Sequence, residues 1–411
     1  MIQGKAFDIP KSLVWESYHS VRRNRGAPGV DGQTLTQFDA NRDKNLYKIW
    51  NRLSSGSYFP PAVLAKTIAK SDGGERTLGI PTVADRIAQG AVKLYMERIL
   101  EPIFHPDSYG YRPGKSAHQA LAQCAERCYR TSWVLEVDIK SFFDTVRHDL
   151  VIKALEYHQM PKWVVLYCKR WLQAPMASSR DDEALVSRTV GTPQGGVISP
   201  LLANLFLHYG FDEWMVRERR FTRFERYADD IVCHCSTMKE ANQLHAMLTE
   251  RFSDIGLTLS ESKTAVVYID TFDRYNVKTC FTFLGFDFKV RTLRNYKGEL
   301  FRKCMPGAAM KAMKRIVRVI REWKIHRSVA SIDEWSRRIN ATVRGWINYY
   351  DKFWYRTFAH RLYTALQSRL LKWAKNRFRV GNRRAKRKLE FIRKEQPRLF
   401  AHWYMLRAST A

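Results

Sequence analysis

The stretch RYADDIVCHC, residues 226–235, places two adjacent carboxylates, Asp229 and Asp230, in a run that otherwise alternates like a β-strand. The chain has 70 Lys and Arg against 40 Asp and Glu, so two neighbouring acids go against its general composition. Two interpretations of the Asp-Asp pair are open. It is either a surface turn, which aspartate favours, or a divalent-metal site at the tip of a hairpin.

The composition predicts a folded protein with a polyanionic partner. Hydrophobic residues make up 45% of the 411 residues, which is enough for two or three domains with apolar cores. The formal net charge of +30 favours nucleic acid as the partner, with an anionic membrane surface as the alternative. No apolar run reaches the about 20 residues of a spanning helix, and the N-terminus lacks a signal-peptide pattern. We therefore expect a soluble, cytoplasmic protein, with nucleoid association left open.

The positive charge is concentrated at the C-terminus. Residues 301–411 contain 29 Lys and Arg against 6 Asp and Glu, a net charge of +23, and six of the 12 Trp. Basic and aromatic residues together grip nucleic-acid backbone and stack on bases, so this region predicts a nucleic-acid-binding module.

The apolar patterns place the remaining elements. KTIAKSDGGERTLGIPTVADR (66–86) predicts a hairpin, and WVLEVDIKSFFDTV (133–146) predicts a buried strand that ends at Asp138. GTPQGGVISPLLANLFLHYGF (191–211) predicts a Gly-rich loop that leads into a helix, with Ser199 as its N-cap. From about residue 308 the pattern is helical, with apolar stripes that we interpret first as core.

The order of these features favours the metal-site interpretation. Template-directed nucleotidyl transfer uses carboxylates that converge on two Mg²⁺ ions about 3.5–4 Å apart. Asp138 at a strand end and Asp229 with Asp230 on a hairpin are an arrangement that can bring carboxylates together. Crowded like charges are costly unless a cation neutralises them, which a turn alone would not explain.

From near the N-terminus to about residue 380, the chain resembles group II intron-encoded reverse transcriptases with their maturase region. The resemblance rests on motifs that follow one another in this order: RTLGIPTVADRIAQ (76–89), SYGYRPGKSAHQAL (108–121), VDIKSFFD (137–144), GTPQGG with SPLLAN (191–204), YADD (227–230), FLGF (283–286) and RRINATVRGWINYY (337–350). It implies an α+β, right-hand polymerase fold whose fingers and palm combine an antiparallel sheet with helices, followed by an α-helical thumb or maturase domain. The expected boundaries are 1–65 for the N-terminal extension and fingers, 66–300 for fingers and palm, 301–375 for the thumb, and 376–411 for a basic tail.

The resemblance also implies roles for individual residues. Asp138, Asp229 and Asp230 would be catalytic, and the implied metal-binding set is Asp138, Ile139, Asp229 and Asp230. Phe143 would exclude a 2′-hydroxyl from the incoming nucleotide, whereas Phe142 is interpreted as core. The remaining residues implied to bind substrate are Lys70, Arg76, Gln194, Gly195 and Lys263.

Three functions fit these sequence features. The first is an RNA-directed DNA polymerase that uses two Mg²⁺, or Mn²⁺ as a substitute, and binds an RNA template, a DNA primer or target, dNTPs and structured intron RNA during splicing and retrohoming. The second is a non-enzymatic splicing maturase, against which the three intact aspartates argue. The third is a related host enzyme recruited to defence or DNA repair. Without paired Cys-x-x-Cys motifs, a C-terminal endonuclease is not expected.

Overall fold

The computed structural model describes residues 6–69, 74–178, 188–269 and 274–405. The chain divides into two compact units. Unit 1 comprises Met1–Ala120 and Leu135–Ala265, and unit 2 comprises Leu121–Val134 and Val266–Ala411. Helices and mostly antiparallel strands are both present, which confirms the predicted α+β class.

Unit 1 contains most of the helices. They are α1 (Lys11–Asn24), α2 (Leu35–Asp39), α3 (Arg42–Ser54), α4 (Val83–Leu100), α5 (Ala117–Arg130, which continues into unit 2), α6 (Phe142–Thr145), α7 (His148–Tyr157), α8 (Lys162–Leu172), α9 (Ser199–Leu207), α10 (Glu213–Glu218) and α11 (Met238–Asp254). A 3₁₀ turn follows α4 at Glu101–Ile103, and a π-helical turn at His208–Asp212 joins α9 to α10.

Among the described residues, six strands lie mainly in unit 1. They are β1 (Val63–Ala69), β2 (Glu75–Ile80), β3 (Trp133–Asp138, which begins in unit 2), β4 (Met176–Ala177), β5 (Arg223–Tyr227) and β6 (Asp230–Cys235). The strands β1 and β2 pair antiparallel, from Leu64 opposite Ile80 to Ala69 opposite Glu75. This pairing confirms the hairpin predicted for 66–86. A second sheet contains the order β5-β6-β3, so β6 lies between β5 and the strand that ends at Asp138.

The long helix α4 begins at a side-chain cap and packs on α1. Thr82 is the N-cap, because its side chain accepts a hydrogen bond from the backbone N–H of Asp85. The buried face packs on α1, where the Ser17 hydroxyl donates to the carbonyl of Ile87 over 2.8 Å. A Cβ on Gly90 would lie 2.2 Å from Ser17 Oγ, so this close approach requires glycine.

Unit 2 combines a small sheet with helices. Its elements are β7 (Ala265–Tyr268, whose first residue belongs to unit 1), β8 (Phe281–Phe283), β9 (Phe286–Arg294), β10 (Leu300–Ala308), α12 (Met310–Glu322), a 3₁₀ turn at Ile325–Arg327, α13 (Ile332–Tyr350), α14 (Tyr355–Phe378), α15 (Asn382–Glu395) and α16 (Ala401–Tyr404). The order β10-β9-β8 makes a three-stranded antiparallel sheet. The alternating run around Gly285 is therefore a hairpin, because Leu284 and Gly285 both have positive φ and reverse the chain between β8 and β9.

The helical pattern predicted after residue 308 is confirmed. In α12, Met313, Ile316 and Ile320 are buried, whereas Met310 at its start is exposed. On α13, the buried residues include Trp335, Ile339 and Val343, so the apolar side of this helix is also core, as predicted. Across the described parts of the chain, none of the helices is both long enough and apolar enough to cross a lipid bilayer.

Candidate active site

The YADD motif forms a tight hairpin. Tyr227 pairs with Asp230 at the ends of β5 and β6, which leaves Ala228 and Asp229 as a two-residue turn. Ala228 has φ of 58°, a left-handed conformation that glycine usually adopts in such turns. The structure thus confirms the predicted strand, turn and strand, and it places both carboxylates at the tip.

A buried ion pair supports this hairpin. The guanidinium of Arg226 donates two hydrogen bonds to the carboxylate of Asp212, over 2.7 and 2.6 Å, and both side chains are completely buried. Arg226 also donates to the side chain of Asn204 and to the carbonyl of Ala228, over 3.0 and 3.2 Å. One guanidinium therefore joins the YADD turn to α9 and to the π-helical turn that carries Asp212. π-Helical turns are frequent at functional sites.

Sequence reasoning missed this support, because neither Arg226 nor Asp212 stands out in a motif that carries chemistry. The available signal was a pair of acids, Asp212 and Glu213, in the mostly apolar segment LHYGFDEW (207–214), together with an Arg in a strand that is largely buried. Buried charges are usually paired, so each of these residues predicts an opposite charge somewhere nearby, but not which one.

Asp138 lies at the end of β3, as predicted. Its backbone N–H donates to the hydroxyl of Thr264, and its carbonyl accepts from the N–H of Ser260. The ammonium of Lys263 donates to a carboxylate oxygen of Asp138 over 3.3 Å. The segment 260–264 thus fixes the Asp138 backbone and brings Lys263 into the site, while the Lys263 side chain remains largely exposed.

The three aspartates influence one another electrostatically. Burial raises the pKa of Asp230 to about 7, and the charges of Asp229 and Asp138 add to this effect while Lys263 opposes it. Asp230 nevertheless keeps part of its surface open to solvent at the tip of the hairpin. The pKa of Asp229 is also raised, mainly by burial and in part by Asp138. The fold therefore gathers three carboxylates whose repulsion a cation would relieve.

This donor set fits hard divalent cations, which prefer carboxylate and carbonyl oxygens. Ile139, predicted in the metal-binding set, has a buried side chain without donor atoms and pairs with Leu259. Only its backbone oxygen could serve as a ligand.

The Gly-rich loop lies against both the Asp138 motif and the β1–β2 hairpin. The N–H of Thr192 donates to the carbonyl of Phe143, and the N–H of Gly79 on β2 donates to the carbonyl of Gln194, each over 2.7 Å. Gly195 has φ of 117°, and a Cβ there would lie 2.4 Å from the carbonyl oxygen of Gly79. The close approach of the loop to β2 therefore requires glycine at 195.

The predicted helix start beside this loop was wrong by one residue. Ser199 is the first residue of α9, and Ile198 occupies the N-cap position without a capping side chain. The Ser199 hydroxyl instead accepts a hydrogen bond from the Thr192 hydroxyl. The N–H of Ile198 donates to Gln89, whose amide donates in turn to the buried carboxylate of Asp85. Tertiary hydrogen bonds thus replace the local cap.

The remaining residues predicted to bind substrate include Phe143, Arg76 and Lys70, and the first two differ in their exposure. Phe143 and Phe142 are both buried, at 8% and 2% exposure, and their rings pack edge to face. Arg76 is exposed on β2, and its charge acts to lower the pKa of Asp229 in the YADD turn. Lys70 lies outside the described residues.

Two family models match this chain. The model described as reverse transcriptase (RNA-dependent DNA polymerase) matches residues 68–288, more than half of the chain. The model described as the group II intron maturase-specific domain matches residues 313–391. The first match contains every residue of the candidate site, and the second lies within unit 2.

Curated relatives align with part of the chain. Protein YkfC of Escherichia coli is 39% identical over 46% of this chain and 50% of its own length. Group II intron-encoded protein LtrA of Lactococcus lactis is 35% identical over 48% of this chain and 32% of its own length. The chain thus spans half or less of these two curated relatives. A solved structure of telomerase from Candida albicans in complex with a telomeric RNA fragment covers 89% of this chain and 66% of its own. Its TM-score is 0.44 and its sequence identity is 12%, so this likeness is too weak to support an inference.

Proposed function

Because this chain belongs to the group II intron reverse transcriptase and maturase family, we propose that it is an RNA-directed DNA polymerase. The observation that carries the proposal is the electrostatic coupling of Asp138, Asp229 and Asp230 at the end of β3 and the β5–β6 turn. An RNA template, a DNA primer and dNTPs are the proposed substrates. The primer 3′-oxygen would attack the α-phosphorus of the incoming dNTP, and pyrophosphate would leave.

The three aspartates, with the carbonyl of Ile139, would hold two Mg²⁺ ions, and Mn²⁺ is a suitable replacement because it accepts the same oxygen ligands. When bound, such ions activate the 3′-hydroxyl and stabilise the charge on the leaving pyrophosphate. The support for this assignment is the donor chemistry of the site and the raised pKa of Asp229 and Asp230, which burial causes first and the charges of the neighbouring aspartates increase.

The remaining residues would bind and orient the nucleotide. Arg76 on β2 and the exposed ammonium of Lys263 would neutralise triphosphate oxygens, and Lys263, which contacts Asp138, would also donate a proton to pyrophosphate. Gln194 and Gly195 would contact the nucleotide from the loop that β2 holds in place. Phe143, joined to that loop through its carbonyl, would place its ring where a ribose 2′-hydroxyl would clash.

We further propose that unit 2 binds structured intron RNA and supports its splicing. The matched maturase region, residues 313–391, lies on α12 to α15, and its sequence is strongly basic. Helices rich in Lys and Arg bind phosphates without reading sequence, and this gives affinity that falls steeply with salt.

The polymerase proposal is tested by Asp229→Asn, which keeps the side-chain volume and removes one charge. We expect cDNA synthesis on a primed RNA template to fall by about three orders of magnitude, because metal-dependent stabilisation of the transition state is lost. RNA affinity should stay within about twofold, since one charge among many is altered. Asp43→Asn, on the exposed face of α3, is the matched control and should polymerise normally. Undiminished cDNA synthesis by Asp229→Asn would refute the site.

The splicing proposal needs a readout independent of polymerisation. A group II intron transcript should splice faster with the protein than without it, and Asp229→Asn should support splicing as well as the original chain does. If neither chain accelerates splicing at any Mg²⁺ concentration that permits RNA folding, the maturase assignment fails while the polymerase assignment stands.

A further inference from the structure

The segment Asp107–Lys115, from the SYGYRPGKSA motif, is fixed beside the catalytic hairpin. The N–H of Arg226 donates to the carbonyl of Asp107, and the N–H of Tyr109 donates to the carbonyl of Arg226, so this segment extends the sheet beyond β5. The Asn204 amide donates to the carbonyl of Gly110 over 2.7 Å. A Cβ on Gly110 would lie 2.4 Å from the backbone nitrogen of Ala228, so the segment touches the YADD turn directly.

Hydrogen bonds of Arg112 fix the segment Asp107–Lys115 near its C-terminal end. Its guanidinium donates to the carboxylate of Glu101 and to the carbonyls of His105 and Ser108, over 2.9, 2.7 and 2.7 Å. The Arg112 side chain is almost wholly buried as a result. Residue 111, between Gly110 and Arg112, is therefore held on both sides.

Tyr111 occupies that position and leaves its side chain in the open. It has φ of 57°, an uncommon conformation for an aromatic residue, and its side chain is 55% exposed. Its ring centroid lies 6.3 Å from that of Tyr227. Partial burial and the nearby charge of Asp229 raise the pKa of Tyr111, so the phenol remains neutral at ordinary pH. Strained backbone of this kind persists where the surroundings fix it, and it clusters at functional sites. Packing of the hydrophobic core does not account for Tyr111, because its ring is exposed while its backbone is fixed in an uncommon conformation.

We propose that Tyr111 is a primer-positioning residue whose ring, together with that of Tyr227, contacts the 3′-terminal nucleotide of the primer. The proposal rests on the proposed polymerase function, in which the primer 3′-hydroxyl lies at Asp138 and Asp229. Tyr227 pairs with Asp230 at the base of the turn, so its ring would lie beside that 3′ end, and the ring of Tyr111 next to it would extend the stacking surface. Of the residues proposed for the incoming nucleotide, Arg76 lies on β2 and Gln194 and Gly195 lie in the Gly-rich loop, whereas Asp107–Arg112 hydrogen-bond to β5 and α9.

The test uses a DNA primer annealed to an RNA template, with the fluorescent base 2-aminopurine either at the primer 3′ end or five nucleotides upstream. Binding is measured with Ca²⁺ in place of Mg²⁺, so that no extension occurs. Three variants of the full chain are compared with the original: Tyr111→Ala, Tyr111→Phe and Tyr157→Ala. Tyr157 is 74% exposed on α7 and serves as the matched control.

Stacking on an aromatic ring quenches 2-aminopurine. We expect Tyr111→Ala to relieve the quenching of the terminal probe about twofold and to leave the upstream probe unchanged, whereas Tyr111→Phe and Tyr157→Ala leave both unchanged. With Mg²⁺, Tyr111→Ala should raise the primer-template concentration needed for half-maximal extension by about tenfold, in the range for loss of one base-stacking contact. The KM for dNTP should change less than twofold.

Several results would overturn the proposal. Unchanged terminal fluorescence in Tyr111→Ala would do so, and so would an equal response of the two probes, which would indicate a general loss of structure. A change confined to the KM for dNTP would assign Tyr111 to the nucleotide instead. The original chain could also quench the terminal probe in a way that depends on Tyr111 and yet synthesise no cDNA. That result would refute the polymerase proposal and leave the proposed primer contact intact.

Discussion

Replacing Asp212 with Asn should destabilise unit 1 and impair the YADD hairpin. The variant keeps the shape of the side chain but leaves the completely buried guanidinium of Arg226 without its counter-charge. The new Asn amide N–H₂ would also face one of the two N–H groups of Arg226 that now donate to Asp212 over 2.6 and 2.7 Å. Removal of one partner from a buried ion pair costs about 3–5 kcal/mol.

This magnitude separates the buried pair from pairs on the surface. The ion pair of Arg217 with Glu218 has a similar distance, 2.8 Å, but both side chains are exposed. Glu218→Gln should therefore cost less than about 1 kcal/mol. Guanidinium unfolding of the original chain, Asp212→Asn and Glu218→Gln measures both costs in one series. A loss below about 1 kcal/mol for Asp212→Asn would refute the reasoning, because it would mean that water or another group compensates the charge of Arg226.

A double variant distinguishes stability from positioning. In Asp212→Leu with Arg226→Met, neither charge remains buried, so stability should recover relative to Asp212→Asn, since apolar replacements of buried ion pairs are often neutral. The hydrogen bonds from Arg226 to Asn204 and to the carbonyl of Ala228 are absent from it, however. cDNA synthesis should therefore remain at least about tenfold reduced. Full recovery of both properties would show that Arg226 does not position the turn.

Three further predictions concern single residues. Because the pKa of Asp230 is about 7 before metal binds, a drop from pH 8 to pH 6 should weaken Mn²⁺ binding about tenfold by calorimetry, and equal affinities would contradict this. Burial lowers the pKa of His402 to about 3, so its neutral form stabilises unit 2 above about pH 6.5, and this stability is lost as pH falls towards 3. At pH 5 this loss of unfolding free energy is about 2 kcal/mol. Unfolding by guanidinium chloride should show the loss in the original chain and not in His402→Phe. Identical pH dependence of the two chains would contradict the prediction. Phe143→Ala should raise the ratio of kcat/KM for ribo- over deoxynucleotides at least about tenfold, while Phe142→Leu leaves that ratio unchanged; an unaltered ratio in Phe143→Ala would remove Phe143 as the sugar gate.

Local patterns in the sequence were sufficient for most elements. The β1–β2 hairpin, the strand that ends at Asp138, the YADD hairpin and the helices after residue 308 all form where spacing and turn residues predict them. These features depend on neighbours within a few residues, which a linear pattern records. The start of α9 was misplaced because the group that satisfies the N–H of Ile198 is Gln89, which lies 109 positions away in sequence.

The sequence by itself determined the family, the acidic motif residues and the excess of positive charge, because residue type and short spacing encode them. Only the tertiary structure decided which groups surround those residues. It pairs Arg226 with Asp212, brings Lys263 to Asp138 across 125 positions, and holds Tyr111 beside Tyr227. The physical reason is that burial, hydrogen-bond partners and electrostatic coupling depend on distances in space, and the chain sets those distances only when it folds.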